Sequence, residues 1–411
     1  MVDIHARKKK LKANIKKLEK TDLPKKDIED IKELKDHMFA EGTSMDRVIR
    51  ITSSFNALSR YVDTVNLSKR DLKRLVGRIN QNNLEDKNYS VWTLAEYKKA
   101  LKRLYKFKYP ERDVSFIKCY VKKKDIPQTD PDELPDSETA LKMIKASNNS
   151  RDKALIFSLW ETGARISELL SIKWKHLKFN PELSFMKITE SKTKARNIPI
   201  MECVENLKDW QENHPQGDNP NAFVFCKLSG SGEKPLAYGS VNNMLRKTRK
   251  KADIPNHIKT NPHAFRKGRA TNLASQGMNQ AALCEYFGWV QSSDTAATYI
   301  RMAKKDLEKS MKEIYGIEKT EEEKDTNLQP IKCPYCNEIN SAARETCKSC
   351  NEVISKTRKL FRAVKKDEIM SETKTELISK MLETQGKISS EEFKEIADKR
   401  LEEKIEERIG L

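Results

Sequence analysis

The polar residues best suited to chemistry on a phosphodiester lie between positions 165 and 299 of the chain. Arg165 follows a glycine turn and begins an apolar helix in the segment ETGARISELLSIKW. His263 and Arg266 lie three residues apart in HAFRKGRAT, which is about one helical turn, so both side chains can face one phosphate. Trp289 and Tyr299 follow ten residues apart in FGWVQSSDTAATYIR.

A lysine completes this set. The segment ITESKTKARNIPI reads as strand, turn and strand, with Lys192 at the turn. Lys194 stands two residues away in the same compact turn, so the choice between the two lysines stays open. Breaking a phosphodiester without a metal needs a nucleophile, positive charge on the non-bridging oxygens, and groups that move protons at the bridging oxygens. Arginine suits the phosphate because its planar fork pairs two oxygens and stays charged.

The charge balance favours a polyanionic partner. Lys and Arg number 80 against 61 Asp and Glu in 411 residues, a formal net charge of +19. Such an excess points to nucleic acid rather than a small neutral ligand. The sequence contains no run of about 18 apolar residues and no apolar signal-peptide core, so we expect a soluble, cytoplasmic protein. It also contains no GxxxxGK[ST] segment, which excludes a P-loop ATPase.

Helical periodicity dominates the first third of the chain. Residues 1–25 read as a basic N-terminal arm, either a helix or a solvated tail, and residues 26–122 as an all-helical domain. Ser44 and Ser68 stand where helix N-caps are expected. Three apolar helix faces define the predicted domain: Val48, Ile51, Phe55 and Leu58; Leu72, Leu75, Val76 and Ile79; and Leu94, Tyr97, Leu101 and Leu104.

Residues 123–136 carry prolines among aspartates and predict a linker, which a mixed domain at 137–316 follows. This domain is predicted to hold helices at 139–146 and 153–171 and further helices from Ser240 to the neighbourhood of Tyr315. Strands are expected at LSFMKIT, RNIPI and AFVFC. The predicted fold class is therefore mainly α with a small β-sheet.

A cysteine cluster follows an acidic linker at 317–331. In the segment 332–352, two CxxC pairs are separated by a ten-residue loop, and their cysteines are Cys333, Cys336, Cys347 and Cys350. Four thiolates at this spacing predict a structural Zn²⁺ ribbon, although two redox CxxC motifs are the alternative. The helical tail at 353–411 shows a capping box, Ser389 with Glu392, and a narrow apolar stripe. The stripe needs a partner, which is either the protein's own body or another subunit in an oligomer.

The chemical residues, taken in order, resemble those of the tyrosine recombinase (phage integrase) family. That family carries Arg in an ARxSEL-like helix start, Lys in a β-turn, HxxR, His or Trp, and then Tyr. The resemblance covers roughly Pro135 to Tyr315, and the helical domain ahead of it is similar to the family's core-binding domain. With the zinc ribbon and the Lys/Glu-rich composition, the chain looks like an archaeal, Xer-like member.

The resemblance implies a role for each residue. Arg165 and Arg266 would clamp the scissile phosphate, and Glu168 would support the first arginine. Lys192 would protonate the leaving 5′ hydroxyl, and His263 would accept the proton of the nucleophile. Trp289 would occupy the family's His/Trp position and donate its indole N–H to the phosphate. Tyr299 would form a 3′-phosphotyrosyl intermediate, with Tyr286 and Tyr315 as alternative nucleophiles.

The implied activity is site-specific recombination of double-stranded DNA, carried out by a tetramer through a Holliday junction. It would require no cofactor for strand transfer, because the phosphotyrosyl bond stores the energy of the broken phosphodiester. A type IB topoisomerase-like monomer would share these residues. A catalytically inactive DNA-binding relative is the third alternative.

Overall fold

The computed structural model describes residues 3–60, 66–84, 88–122, 125, 130–189, 191, 194–229, 231–292, 294–302, 315 and 328–354. The chain divides into two compact units, Met1–Asp130 and Pro131–Leu411. The boundary lies inside the segment predicted as a linker. Among the described residues, no helix has the length and apolar character needed to cross a membrane.

The first unit is helical. Its helices are α1 (Arg7–Leu18), α2 (Lys25–Ala40), α3 (Met45–Leu58), α4 (Lys69–Asn80) and α5 (Val91–Lys108). All the apolar positions that the sequence assigns to three helix faces are buried in one core. Ser68 caps α4 by accepting a hydrogen bond from the Asp71 amide at 3.2 Å, whereas Ser44 occupies the N-cap position of α3 without a side-chain bond.

The basic segment at 1–25 belongs to this unit, which differs from the predicted division into an arm and a domain that starts at residue 26. Helix α1 packs on α3: the side chain of Leu18 is fully buried, and the Asn14 amide donates to the Ile49 carbonyl at 3.1 Å. Asn56 donates in turn to the Asn14 carbonyl at 2.9 Å. The lysines of α1 lie on its exposed face, which leaves a small apolar face to join the core.

The second unit combines helices with a three-stranded antiparallel sheet. Its helices are α6 (Ser137–Ala146), α7 (Ser150–Thr162), α8 (Ile166–Leu170), α9 (Val204–Glu212), α10 (Tyr238–Lys251), α11 (Pro262–Ser275), α12 (Gln280–Phe287) and α13 (Asp294–Met302). The sheet order is β1 (Leu177–Lys178), β2 (Ser184–Ile188) and β3 (Arg196–Ile200), with Ile188 opposite Arg196 at the hairpin end. The fold class predicted from the sequence, mainly α with a small sheet, is confirmed.

Two local predictions in this unit are wrong. The segment AFVFC forms no strand and makes isolated bridges instead, Phe223 with Lys173 and Cys226 with Pro235. Its apolar residues are buried by packing, which produces the same hydrophobic run as a strand. The helix predicted at 153–171 is broken after Thr162, because Gly163 adopts a left-handed conformation with φ 51°.

The cysteine segment forms a small ribbon within the second unit. Its strands, β4 (Ile331–Lys332) and β5 (Ile339–Asn340), pair antiparallel. The ribbon lies on α9 through three polar side-chain pairs, which are Ser341 with Asn206, Arg344 with Asp209, and Lys348 with Glu205. The predicted tail, with its capping box and apolar stripe, lies outside the described residues.

Candidate active site

Arg165 occupies the N-cap position of α8, immediately after the break that ends α7. Glu168 holds it from one turn further on: its carboxylate accepts from the Arg165 amide at 2.9 Å and from the guanidinium Nη1 at 2.9 Å. The Glu168 side chain is 1% exposed and that of Arg165 is 28% exposed. Glu168 therefore fixes the Arg165 backbone and one guanidinium nitrogen, while part of the guanidinium remains accessible.

Gly163 makes this placement feasible. Its positive φ suits glycine, and a Cβ at this position would lie 2.4 Å from the ring atom Cε1 of Phe287. The bare backbone lets α12 approach the α7–α8 turn closely. This contact brings the Arg165 segment next to the segment that carries Trp289.

Arg266 lies under both of these segments. Its guanidinium donates from Nη1 to the Gly163 carbonyl at 2.7 Å and from Nη2 to the Phe287 carbonyl at 2.6 Å. The residue is 5% exposed. Burial, and then the charge of Arg165, lower the pKa of Arg266 to about 9, so the side chain remains a cation at neutral pH.

His263 lies one turn before Arg266, in the first turn of α11, whose N-terminus Asn261 caps. The residue is exposed. Partial desolvation of its ring lowers the pKa of His263, and the positive charges of Lys267, Arg266 and Arg165 lower it further. The imidazole is therefore neutral at neutral pH and can accept a proton.

Trp289 and Tyr299 form a stack beside Arg266. Their ring centroids lie 5.3 Å apart, and the Arg266 guanidinium lies 5.4 Å from the Trp289 ring centroid. Tyr299 is 8% exposed. Burial raises the pKa of its phenol, while the Arg266 charge acts in the opposite direction. A buried phenol beside a guanidinium has a cation to stabilise the negative charge of its oxygen.

The structure thus gathers Arg165, His263, Arg266, Trp289 and Tyr299 into one cluster built from α8, α11 and α13 and the segment after α12. Lys192 lies outside the described residues, and Lys194 is exposed. Ser191, next to Lys192 in the sequence, is attached to the cluster, because its hydroxyl donates to Glu168 at 2.7 Å.

The alternative tyrosines have different surroundings. The Tyr286 hydroxyl donates to the Glu161 backbone carbonyl at 2.6 Å, and burial raises its pKa. Tyr315 is 68% exposed. Of the three tyrosines, Tyr299 is the one that stacks on Trp289 beside Arg266.

Two buried arginines in this region were not among the residues predicted for the site. Arg196, the first residue of β3, donates to Glu168 and to the Tyr286 carbonyl. Arg269, one turn beyond Arg266 on α11, donates to the Glu161 carbonyl at 3.2 Å. A charged residue just after the turn of a predicted hairpin, or at helical spacing from HxxR, was the available signal. Neither signal distinguishes a buried arginine from an exposed one.

The four ribbon cysteines can hold one metal ion. Their sulfur atoms all lie within 4.8 Å of one another, with 3.5 Å between Cys333 and Cys350 and 3.6 Å between Cys336 and Cys347. Four sulfurs at about 2.3 Å around one tetrahedral ion would lie roughly 3.8 Å apart. The cluster therefore fits a tetrahedral thiolate site.

The backbone around these cysteines is prearranged in two equivalent turns. Asn337 and Asn351 each follow the second cysteine of a pair, with φ of 60° and 62°. Their amides donate back to the carbonyls of Cys333 and Cys347 at 3.0 and 3.1 Å. The amide of Ser349 also donates to the Cys347 sulfur at 3.4 Å, a bond that favours a thiolate.

The chain is similar in sequence to known tyrosine recombinases. Residues 134–306 match the family model described as the phage integrase family. Tyrosine recombinase XerA of Pyrococcus furiosus is 26% identical over 293 residues, which cover 70% of this chain and 94% of the relative. Tyrosine recombinase XerC of Rickettsia canadensis is 28% identical over 243 residues, 56% of this chain and 76% of the relative.

The fold also resembles a solved structure. A crystal structure of a lambda integrase dimer bound to a COC′ core site is 14% identical, with a TM-score of 0.50, and the match covers 68% of this chain and 78% of that chain. At this identity the likeness concerns the fold.

Proposed function

We propose that the chain is a member of the tyrosine recombinase family, a site-specific recombinase that uses Tyr299 to cleave and rejoin double-stranded DNA. The observation that carries the residue assignment is the position of Arg266. Its guanidinium bonds the turn before Arg165 and the carbonyl of Phe287, and it lies beside the Trp289–Tyr299 stack. A nucleophile and two phosphate-binding cations are thereby held in one frame.

The proposed cleavage step balances as follows. The phenolic oxygen of Tyr299 bonds to phosphorus, and its proton passes to His263. The bond from phosphorus to the 5′ oxygen breaks. That oxygen keeps the electron pair of the broken bond and accepts a proton from the Lys192 ammonium group. The product is a 3′-phosphotyrosyl linkage and a free 5′ hydroxyl, which can reverse the step.

The remaining residues act on the phosphate. Arg165 and Arg266 would pair with the non-bridging oxygens, where negative charge accumulates in the pentacovalent transition state. Trp289 would orient the Tyr299 ring and offer its indole N–H to the same oxygens. A group that binds the phosphate in this way must already be held in position by the protein. The hydrogen bonds that Arg165 and Arg266 donate hold their guanidinium groups in this way.

We assign duplex DNA as the partner and a tetramer as the active assembly. Exchange between two duplexes breaks four strands, and each break uses one tyrosine, so a chain with one such site must act in four copies. In the first unit, Arg50, Lys69, Arg70 and Lys73 are exposed and can bind the DNA backbone. Because such an enzyme works on DNA, we propose a cytoplasmic, nucleoid-associated location.

We propose that the ribbon binds one structural Zn²⁺ through Cys333, Cys336, Cys347 and Cys350. Four thiolates would fill the coordination sphere, so the ion would hold the ribbon together and take no part in strand cleavage. The equivalent turns after Cys336 and Cys350 support this assignment.

The decisive experiment traps the covalent intermediate. Nicked duplexes with randomised sequence are incubated with the protein, and DNA that remains attached to protein after denaturation is sequenced to define the site. We expect adducts from the natural chain, none from Tyr299→Phe, and adducts from Tyr286→Phe, which is a matched tyrosine from the neighbouring helix. Adduct formation by Tyr299→Phe would overturn the nucleophile assignment.

A relaxation assay then separates recombination from topoisomerase activity. A supercoiled plasmid that lacks the captured site should remain supercoiled, and two copies of the site should recombine. Relaxation of the plasmid without the site would favour the topoisomerase-like alternative.

A further inference from the structure

Arg196 is a buried arginine shared by three segments of the active site. Its side chain is 6% exposed, and its Nη2 donates to the Glu168 carboxylate at 2.9 Å. Its Nε donates to the Tyr286 carbonyl at 2.9 Å, close to Trp289. Arg196 therefore connects the turn end of the β2–β3 hairpin to the Arg165 helix and to the end of α12.

The backbone at Gly288 lies close to the Arg196 guanidinium. Gly288 has a φ of 62°, and a Cβ there would lie 2.9 Å from the Arg196 Nη1. The backbone thus comes as close to the guanidinium as a residue without a side chain permits. A charged group this deeply buried needs a full set of partners, and Glu168 with the Tyr286 carbonyl supplies them.

The Glu168 carboxylate serves two arginines at once. Arg196 bonds Oε2 at 2.9 Å, and Arg165 bonds Oε1 at 2.9 Å through Nη1. The three side chains together carry one net positive charge. Arg165 donates to the carboxylate through its terminal nitrogen Nη1, and the other donors of the guanidinium can face a phosphate.

We propose that Arg196 is a positioning residue that neutralises Glu168 and so keeps the Arg165 guanidinium available to the scissile phosphate. The inference rests on the proposed function. Without Arg196, the buried carboxylate would draw Arg165 into a two-pronged ion pair. The pair would carry no net charge, and the phosphate would lose one of its two arginine partners.

The ionisation of Glu168 is consistent with this arrangement. Burial raises the pKa of Glu168, but the hydrogen bond and charge of Arg196, with the bonds from Ser191 and the Arg165 amide, bring it down to about 2. The carboxylate is thus an anion throughout the working pH range. A neutral residue at position 196 would leave that anion with Arg165 as its remaining arginine among these contacts.

The test distinguishes the loss of the positive charge at position 196 from a loss of folding. The variants are Arg196→Gln, Arg196→Lys, and the double variant Arg196→Gln with Glu168→Gln. The readout is the single-turnover rate of adduct formation on the DNA site captured with the natural chain, measured well below each variant's Tm and at saturating protein.

Arg151→Gln is the matched control. Arg151 is another arginine of the second unit that is largely buried, with a side chain 12% exposed, and it pairs with Asp152 at 2.7 Å and with the Cys226 carbonyl at 3.1 Å. We expect Arg151→Gln to lower the Tm and to leave the cleavage rate within about threefold of the natural chain, since its partners lie outside the cluster.

Arg196→Gln should slow adduct formation by about 100-fold, the size of effect seen when one transition-state donor is lost. The double variant should recover at least about tenfold of that loss, because removing the carboxylate frees Arg165. Arg196→Lys keeps the charge and should stay within about tenfold of the natural rate.

Three results would overturn the inference: a natural rate in Arg196→Gln, a double variant no faster than that single variant, or a lysine variant as slow as the glutamine variant. Should Arg196→Gln fail to fold, the lysine variant decides, and a rate more than about tenfold below natural contradicts the inference. Failure of the proposed function itself would appear separately, as the absence of adducts from the natural chain.

Discussion

Trp289 stacks nearly parallel on Tyr299, with ring centroids 5.3 Å apart and an interplanar angle of 11°. Its ring also stacks on Phe287, at 4.7 Å and 17°. The ring of Tyr299, the proposed nucleophile, is thus the first of three stacked rings. Trp289 is the second, and Phe287, the third, packs against Gly163. The orientation of the Tyr299 ring therefore depends on an aromatic side chain at position 289.

Replacing Trp289 separates stacking from hydrogen bonding. Trp289→Phe keeps an aromatic face for Tyr299 and removes the indole N–H, so we expect a cleavage rate about tenfold lower and a near-natural Tm. Trp289→Ala removes both, and we expect a loss of about 100-fold in rate and about 1–3 kcal/mol in unfolding free energy, since Trp289 is only partly buried. Single-turnover cleavage and denaturant unfolding measure the two effects. Equal rates for the two variants would contradict a role for the stack.

The pH dependence of cleavage should report His263. Since the pKa of His263 is lowered from its ordinary value of 6.5, its neutral, proton-accepting form predominates already below that pH. We expect the single-turnover rate to rise with pH through an inflection below 6.5 and to be level at neutral pH.

Two variants check this assignment. Lys267→Gln removes a positive charge that lowers the pKa of His263, so the inflection should move upward. His263→Gln should abolish it. The contribution of His263 to folding stability should also decrease as pH falls. Because the unfolded chain binds a proton at His263 more readily, this contribution is present above about pH 6.5 and is lost as pH falls through the folded pKa. An unchanged profile in His263→Gln would exclude it as the proton acceptor.

The choice between Lys192 and Lys194 can be settled with a modified leaving group. DNA in which sulfur replaces the bridging 5′ oxygen needs no protonation of the departing group, because a thiolate leaves readily. Lys192→Ala should cleave ordinary DNA about 100-fold more slowly and the sulfur-containing DNA at nearly the natural rate. Lys194→Ala should behave as the natural chain on both. The reverse pattern would transfer the role of general acid to Lys194.

Removal of the metal should destabilise the ribbon and leave the rate of DNA cleavage unchanged. EDTA treatment should release one Zn²⁺ per chain and increase amide hydrogen exchange in the ribbon and along α9, whose Glu205 and Asp209 pair with Lys348 and Arg344. Cys333→Ser should reproduce the increase without EDTA. On complexes already assembled with DNA, the cleavage rate should not change. An immediate loss of cleavage there would indicate a catalytic metal.

The sequence by itself predicted the candidate site residues whose grouping is local to a motif. Arg165 at a helix start, His263 and Arg266 one turn apart, and the two CxxC pairs are recognisable because short-range spacing sets which side chains lie together. The helical core of the first unit was predictable for the same reason: the periodicity of Val48, Ile51 and Phe55 specifies one buried face.

Only the tertiary structure decided features that depend on distant neighbours. The α7–α8 break needs Gly163 because Phe287 packs against it, more than a hundred residues later in the chain. The buried run at 222–226 satisfies its apolar side chains by packing rather than by strand pairing. The sequence pattern is compatible with an exposed Arg196 in a hairpin, whereas in the fold Glu168 and the Tyr286 carbonyl accept hydrogen bonds from its buried side chain. Whether a charge is buried depends on which partners the fold brings to it, and periodicity along the chain carries no information about those partners.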